Sequence, residues 1–149
     1  MVVVRRVVLA MLAACVIACS PPAGDDPVST VEPLYQSYLD GQNPPDLANA
    51  APWSNEMRDL LRQMKDASKE QEGPVIDFDP LIDGQDFEIT DLTVSVEEPP
   101  ANGRAVVEAK FKNFGEDVQV HYDLVEDGGW RVDNIRTRSW SLRELLASA

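Results

Sequence analysis

The sequence predicts an α+β domain in which N-terminal helices pack on a strongly bent, antiparallel four-stranded meander and a short helix closes the chain. Three observations predict it. Apolar residues recur with helical spacing before residue 70 and with a two-residue period after residue 86. The alternating segments are joined by Asn102-Gly103, Asn113-Phe114-Gly115 and Gly128-Gly129, turns short enough to require antiparallel neighbours. Ser141 and Glu144 then open a final helical stretch. Helices first and strands afterwards is the order of segregated layers.

The first helix is expected from about Thr30 to Asp40. Val31, Leu34, Tyr35, Tyr38 and Leu39 make one apolar face, Pro33 fits its first turn, and Gly41 stops it. A short helical turn is expected around Asp46 to Ala50. The main helix takes Ser54 as its N-cap and runs to about Glu70, with Met57, Leu60, Leu61 and Met64 as its stripe and Trp53 just outside the cap. In the first strand Phe87 and Ile89 share one phase while Leu92, Val94 and Val96 share the other, so Thr90-Asp91 predicts a β-bulge. Pro99-Pro100 ends that strand and Asn102-Gly103 turns the chain. Ala105, Val107, Ala109 and Phe111 share the inner face of the second strand, and Val118, Val120, Tyr122 and Leu124 that of the third. The fourth runs from Trp130 to about Arg136, with Trp130 and Val132 inward. The closing helix is expected from Leu142 to about Ala147. It should carry a capping box from Ser141 and Glu144, with Trp140 stapled to Leu145.

The N-terminus carries a different message. Arg5 and Arg6 precede nine uncharged residues, Val7 to Cys15, and the apolar run closes with Val16-Ile17-Ala18-Cys19. A charged start, a short apolar middle and small residues before a cut are the layout of a secretory signal peptide. The 13 residues from Val7 to Cys19 fall short of the roughly 20 needed to span a bilayer. Cys19 as the first residue after the cut resembles the lipobox of bacterial lipoproteins. That resemblance implies a diacylglycerol on its thiol and an acylated amine. Leu12-Ala13-Ala14-Cys15 also matches, but cleavage there leaves a very short apolar core, so Cys19 is favoured and Cys15 is the alternative. The expected organisation is a signal peptide over 1–18, a lipidated Cys and flexible tether over 19–27, and one domain over 28–149. Ser20 after the Cys implies, by the same resemblance, an outer-membrane anchor facing the periplasm. The folded part then holds no Cys and no disulfide.

Removing residues 1–18 takes away Arg5 and Arg6 and no acid. That leaves 11 basic against 26 acidic side chains, a formal charge of −15. Nucleic acid, which is held by Lys and Arg on phosphates, is excluded as a partner on that ground. The same charge argues against lying flat on anionic lipid, so membrane attachment is expected through the lipid alone.

Within the domain, three segments resemble bacterial lipoproteins carrying the domain of unknown function 3828, in the nuclear-transport-factor-2-like superfamily. They are Leu34-Tyr35-Gln36-Ser37-Tyr38-Leu39, the motif Phe78-Asp79-Pro80 with Gln85-Asp86, and Gly129-Trp130-Arg131-Val132-Asp133-Asn134-Ile135. The resemblance spans most of residues 28–138 and implies a cone-shaped helix-on-curved-sheet fold. It carries no activity with it.

Candidate chemistry is sparse. Asp77, Asp79, Asp83, Asp86 and Glu88 suggest a calcium loop, but Leu81 stands where an EF-hand needs an oxygen ligand. A turn is the better reading, with Asp79 and Asp83 accepting backbone N–H bonds and Gly84 supplying a left-handed φ. Gln85 and Asp86 should fix the loop into the bent strand. His121 is the sole histidine and alternates to the outer face, where it is expected to be solvated; no metal site, cofactor or catalytic triad is expected. A pocket between the concave sheet face and the first helices could be lined by Tyr35, Tyr38, Trp53, Met57, Met64, Phe111, Tyr122 and Trp130. The leading expectation is a non-enzymatic envelope protein that binds a protein partner. The alternative is a small-ligand binder using that concave pocket, and an isomerase- or hydrolase-like enzyme ranks third.

Overall fold

A computed structural model of the protein describes residues 21–71 and 73–148. Its elements are α1 (Pro27–Val31), a 3₁₀ turn (Glu32–Tyr35), α2 (Gln36–Leu39), α3 (Leu47–Ala50) and α4 (Asn55–Glu70). Strands β1 (Ile89–Ala101), β2 (Arg104–Asn113), β3 (Glu116–Glu126) and β4 (Trp130–Arg136) follow, and α5 (Leu142–Ala147) ends the series. The sheet is antiparallel in the order β1-β2-β3-β4, the α+β meander that the periodicity predicts. Among the described residues, no helix is long and apolar enough to cross a membrane.

The first helical segment starts earlier than expected and is broken. Asp26 is its N-cap and forms a capping box with Ser29, while Pro27 takes the first position. Pro33 therefore falls in the interior of the segment and not in its first turn. Having no N–H to donate, it sits in a 3₁₀ turn between α1 and α2. Leu39, expected on the apolar face, is 49% exposed. The tether expected over 19–27 is also shorter than its composition implied. Gly24 exchanges backbone bonds with Trp130, N–H to O at 3.0 Å and O to N–H at 2.8 Å. Gly129 permits that approach, because a Cβ there would lie 2.8 Å from the Cβ of Ala23.

α3 and α4 form where expected, with Asp46 capping Ala48 N–H and Ser54 Oγ accepting from Met57 N–H at 3.1 Å. The segment before α4 runs parallel to β4. Ser54 N–H donates to Val132 O at 2.8 Å and Val132 N–H to Pro52 O at 2.9 Å, which covers the β4 edge. Among the described residues, the β1 edge has no such cover.

The sheet carries four register irregularities. β1 slips register between Thr90 and Thr93, with Asp91 at φ +54°, as the phase change predicts. A second slip between Val96 and Glu98 makes Glu97 an extra residue, a third lies between Glu98 and Ala101, and a fourth between Asp123 and Leu124. Asn102 and Gly103, at φ +53° and +70°, form the type I′ geometry of a two-residue hairpin. Pro99 and Pro100 do not end β1 but lie within it, at the register slip between Glu98 and Ala101; successive N–H groups point to opposite sides, so the open edge excuses one missing donor and the slip the other.

At the C-terminus α5 spans the expected residues, but the capping box does not form: Ser141 makes no side-chain cap bond. Asn134 of β4 replaces it, receiving Arg143 N–H at 3.0 Å on Oδ1 and donating Nδ2–H to Ser141 Oγ at 3.1 Å. A local cap read from spacing has been overridden by a partner brought in by the sheet. Trp140 turns toward the 78–83 loop, its ring 5.1 Å from Phe78 and its Nε1–H donating to Asp83 at 2.7 Å.

Candidate functional site

The concave sheet face is filled. Tyr35, Trp53, Met57, Phe111, Tyr122 and Trp130 are all buried in the core with Val107, Val120 and Val132. Tyr35 donates its hydroxyl to Leu81 O at 2.9 Å, so the 2.7 Å contact between Tyr35 and Tyr122 hydroxyls has Tyr122 as donor. Side chains from the helical segment and from β3 thus meet across the space and satisfy one another. The pocket expected there is not open. Of its expected lining, Phe111 reaches a separate cleft of about 320 Å³, while Tyr38 and Met64 reach the larger one described next.

That cleft, of about 530 Å³, lies between α2, α3, α4 and the 74–85 loop. Its walls combine Leu47, Met64, Ile76, Phe78, Pro80 and Leu81 with Tyr38, Asp46, Asp77, Asp79 and Gln85. The loop is held by Asp79, whose Oδ1 accepts Leu81 N–H at 2.9 Å and whose N–H donates to Gly84 O at 2.8 Å. This is the turn expected from the sequence in its Asp79 half. The other half is corrected. Asp83, not Gly84, takes the left-handed φ of +51°, and its carboxylate accepts from the Trp140 indole and not from backbone. Gln85 Nε2 donates to Asp77 O at 3.0 Å, and Asn113 Nδ2 donates to Asp86 O at 3.1 Å, which fixes the exit into β1. Phe78, Asp79, Pro80 and Gln85 of the sequence motif therefore line the cleft, while Asp86 braces its loop from outside.

Tyr38 and Asp79 are the strongest polar pair in this wall. The Tyr38 hydroxyl donates to Asp79 Oδ2 at 2.5 Å. Burial, then the bond to Asp79 and the charge of Asp79, push the Tyr38 phenol far above its ordinary range. It stays a neutral donor at any ordinary pH, and with Asp79 also tied to Leu81 N–H the pair is occupied with holding the loop. Among the described residues, the lining contains no Lys, Arg, His, Cys, Ser or Thr. What the cleft offers is apolar surface edged by the carboxylates of Asp46, Asp77 and Asp79. Lys65 stands outside this lining, with its Nζ 4.0 Å from Asp46. Pro45, Leu47, Pro74 and Ile76 were missed as lining residues. Their one signal was that Pro44-Pro45 and Gly73-Pro74 punctuate the chain on both sides of α4, where two loops fold over one end of it.

His121 also departs from expectation. It alternates to the outer face, yet it is only 7% exposed. The extra residue at Glu97 folds its carboxylate over the ring, Oε2 lying 2.6 Å from Nδ1.

No family model matches the chain, and no curated protein or solved structure is similar enough to count as a match.

Proposed function

We propose that the protein is an exported, lipid-anchored envelope protein that binds a protein partner without catalysis. On this reading its cleft takes an apolar segment bearing a basic side chain. The observation that carries the reading is the cleft lining: apolar walls, three carboxylates and, among the described residues, no cationic side chain. A Lys or Arg set among apolar neighbours satisfies both features, its charge on the carboxylates and its stem on the walls. The lipobox-like run to Cys19 and the resemblance to domain-3828 lipoproteins support an outer-membrane anchor facing the periplasm. Cys19 and Cys15 both lie outside the described residues. Because Gly24 is tied to β4, the stretch from Cys19 to Ala23 can span at most about 13 Å at roughly 3.3 Å per residue. The partner is therefore sought close to the membrane surface.

Crosslinking in intact cells tests the binding role. A protein captured reproducibly by the native chain should be lost with D46N/D77K, two exposed sites where the charge changes while Asn keeps the α3 cap. A capture that ignores this change, or no reproducible capture, removes the cleft from the reading. A small cationic organic ligand is the second reading, favoured by the volume of about 530 Å³, which lies in the range of small-molecule sites. The anchor has its own test. Cys19→Ala is expected to abolish palmitate labelling and release a soluble or unprocessed chain; continued labelling would move the lipid to Cys15 or refute the anchor.

A further inference from the structure

The outer face of the sheet brings together three side chains that the sequence separates widely. Glu108 of β2 and His121 of β3 are direct cross-strand partners, and Glu97 of β1 reaches them from the bulge. One nitrogen of His121 and one carboxylate oxygen from each Glu all lie within 4.8 Å of one another. His121 and Glu108 are 7% and 8% exposed, unusual for such residues on the face of the sheet turned away from the core.

We propose that Glu97, Glu108 and His121 form a site for a divalent transition ion of the zinc class, clipping the free edge strand β1 to β2 and β3. One imidazole and two carboxylates are ordinary zinc donors, leaving a fourth position for water. Bonds of about 2.0 to 2.2 Å place tetrahedral donors roughly 3.3 Å apart, so the most widely spaced groups close by about 1.5 Å or less while the 2.6 Å contact of Glu97 with His121 opens by about 0.7 Å, both within reach of side-chain rotation. Gln119 already holds the Glu108 carboxylate from the side, the supporting contact that metal ligands ordinarily have. Lys110 Nζ, 2.5 Å from Glu108 Oε1, stands where a cation is wanted. Its side chain is largely exposed and free to swing away. The site is independent of the cleft, which lies on the helical side.

Titration of the full chain in detergent with Zn²⁺ by calorimetry, and with Co²⁺ by visible absorption, tests the proposal. Saturable one-to-one binding and a raised Tm are expected. His121→Gln and Glu97→Gln should each abolish saturation, and Gln119→Ala should weaken it by about tenfold. Lys110→Ala should tighten it by about fivefold, because it removes the competing charge. Glu97 is exposed, so E97Q keeps the test decisive if H121Q fails to fold. Absence of saturation in the native chain overturns the site, as does equal affinity in E97Q or weaker binding in K110A.

Discussion

Trp53→Ala is expected to lower stability by about 3 to 5 kcal/mol, the largest loss of any single truncation in this chain. Trp53 is wholly buried, and its removal acts on two layers at once. Its ring fills the space between α4 and the sheet, and its Nε1–H donates to Leu47 O at 2.9 Å, which holds α3 over the core. Its backbone belongs to the segment that covers the β4 edge. The cavity left by an indole cannot collapse easily, because the next residue, Ser54, caps α4 and fixes the backbone there. Domains of this size have about 5 to 15 kcal/mol in total, so the variant should be partly unfolded at physiological temperature. Urea unfolding followed by circular dichroism measures it: the midpoint should fall with little change in slope. Trp53→Phe separates the terms, since it keeps most of the volume and orphans only the Leu47 carbonyl, at about 1 to 3 kcal/mol. A loss below about 1 kcal/mol in Trp53→Ala would mean that the site repacks and that Trp53 is not a keystone of both layers.

Trp53 also marks how far the sequence could be read. Its place outside the Ser54 cap was legible, because a cap and an apolar stripe are local features. So were the bulge at Asp91, where the alternation changes phase, and the turn at Asn102-Gly103, which needs left-handed residues. What was not legible depends on pairings between distant segments. Ser141 loses its capping role to Asn134 because β4 happens to end beside α5. Pro99 and Pro100 read as a stop, yet the open edge excuses one missing N–H and the register slip the other. His121 alternates outward as its neighbours require, but the covering residue, Glu97, is displaced onto it by a second bulge without phase signal. The cleft was misplaced for the same kind of reason. Aromatic residues on two facing elements fit either a lined pocket or a filled core. Only the hydroxyl contacts of Tyr35 with Tyr122 and Leu81 decide for the core. The motif around Asp79 was identified as a unit, but that it faces Leu47 and Met64 follows from where α3 and α4 pack.

Alkaline unfolding is the second large effect, and it follows from the same hydroxyls. The chain has three tyrosines, Tyr35, Tyr38 and Tyr122, and all three are buried. Burial is the main cause that raises each phenol. For Tyr35 the bond from Tyr122 offsets it slightly while Tyr38 and Asp79 add to it; for Tyr38 Asp79 adds to it; for Tyr122 Tyr35 and Asp79 do. Each phenol is neutral in the fold and donates its proton to Leu81 O, Asp79 or Tyr35, so ionising any one removes a donor and buries a charge. In the unfolded chain the same groups ionise near pH 10. Their contribution is thus fully present below about pH 10 and is lost as pH rises above it, because the unfolded state alone releases protons there. Each phenol costs about 1.4 kcal/mol per pH unit, so together they remove about 4 kcal/mol per unit. With a total of about 5 to 15 kcal/mol, the fold should give way within one to a few units above pH 10. Phenolate absorbance and far-ultraviolet circular dichroism, followed together through an alkaline titration, check it. No phenolate should appear while the fold persists, and all three should then appear in one cooperative step with the loss of structure. Tyr122→Phe should reduce the steepness of that loss by about a third. A tyrosine that titrates near pH 10 with the dichroism intact would mean that one hydroxyl reaches water and that the concave face is open after all.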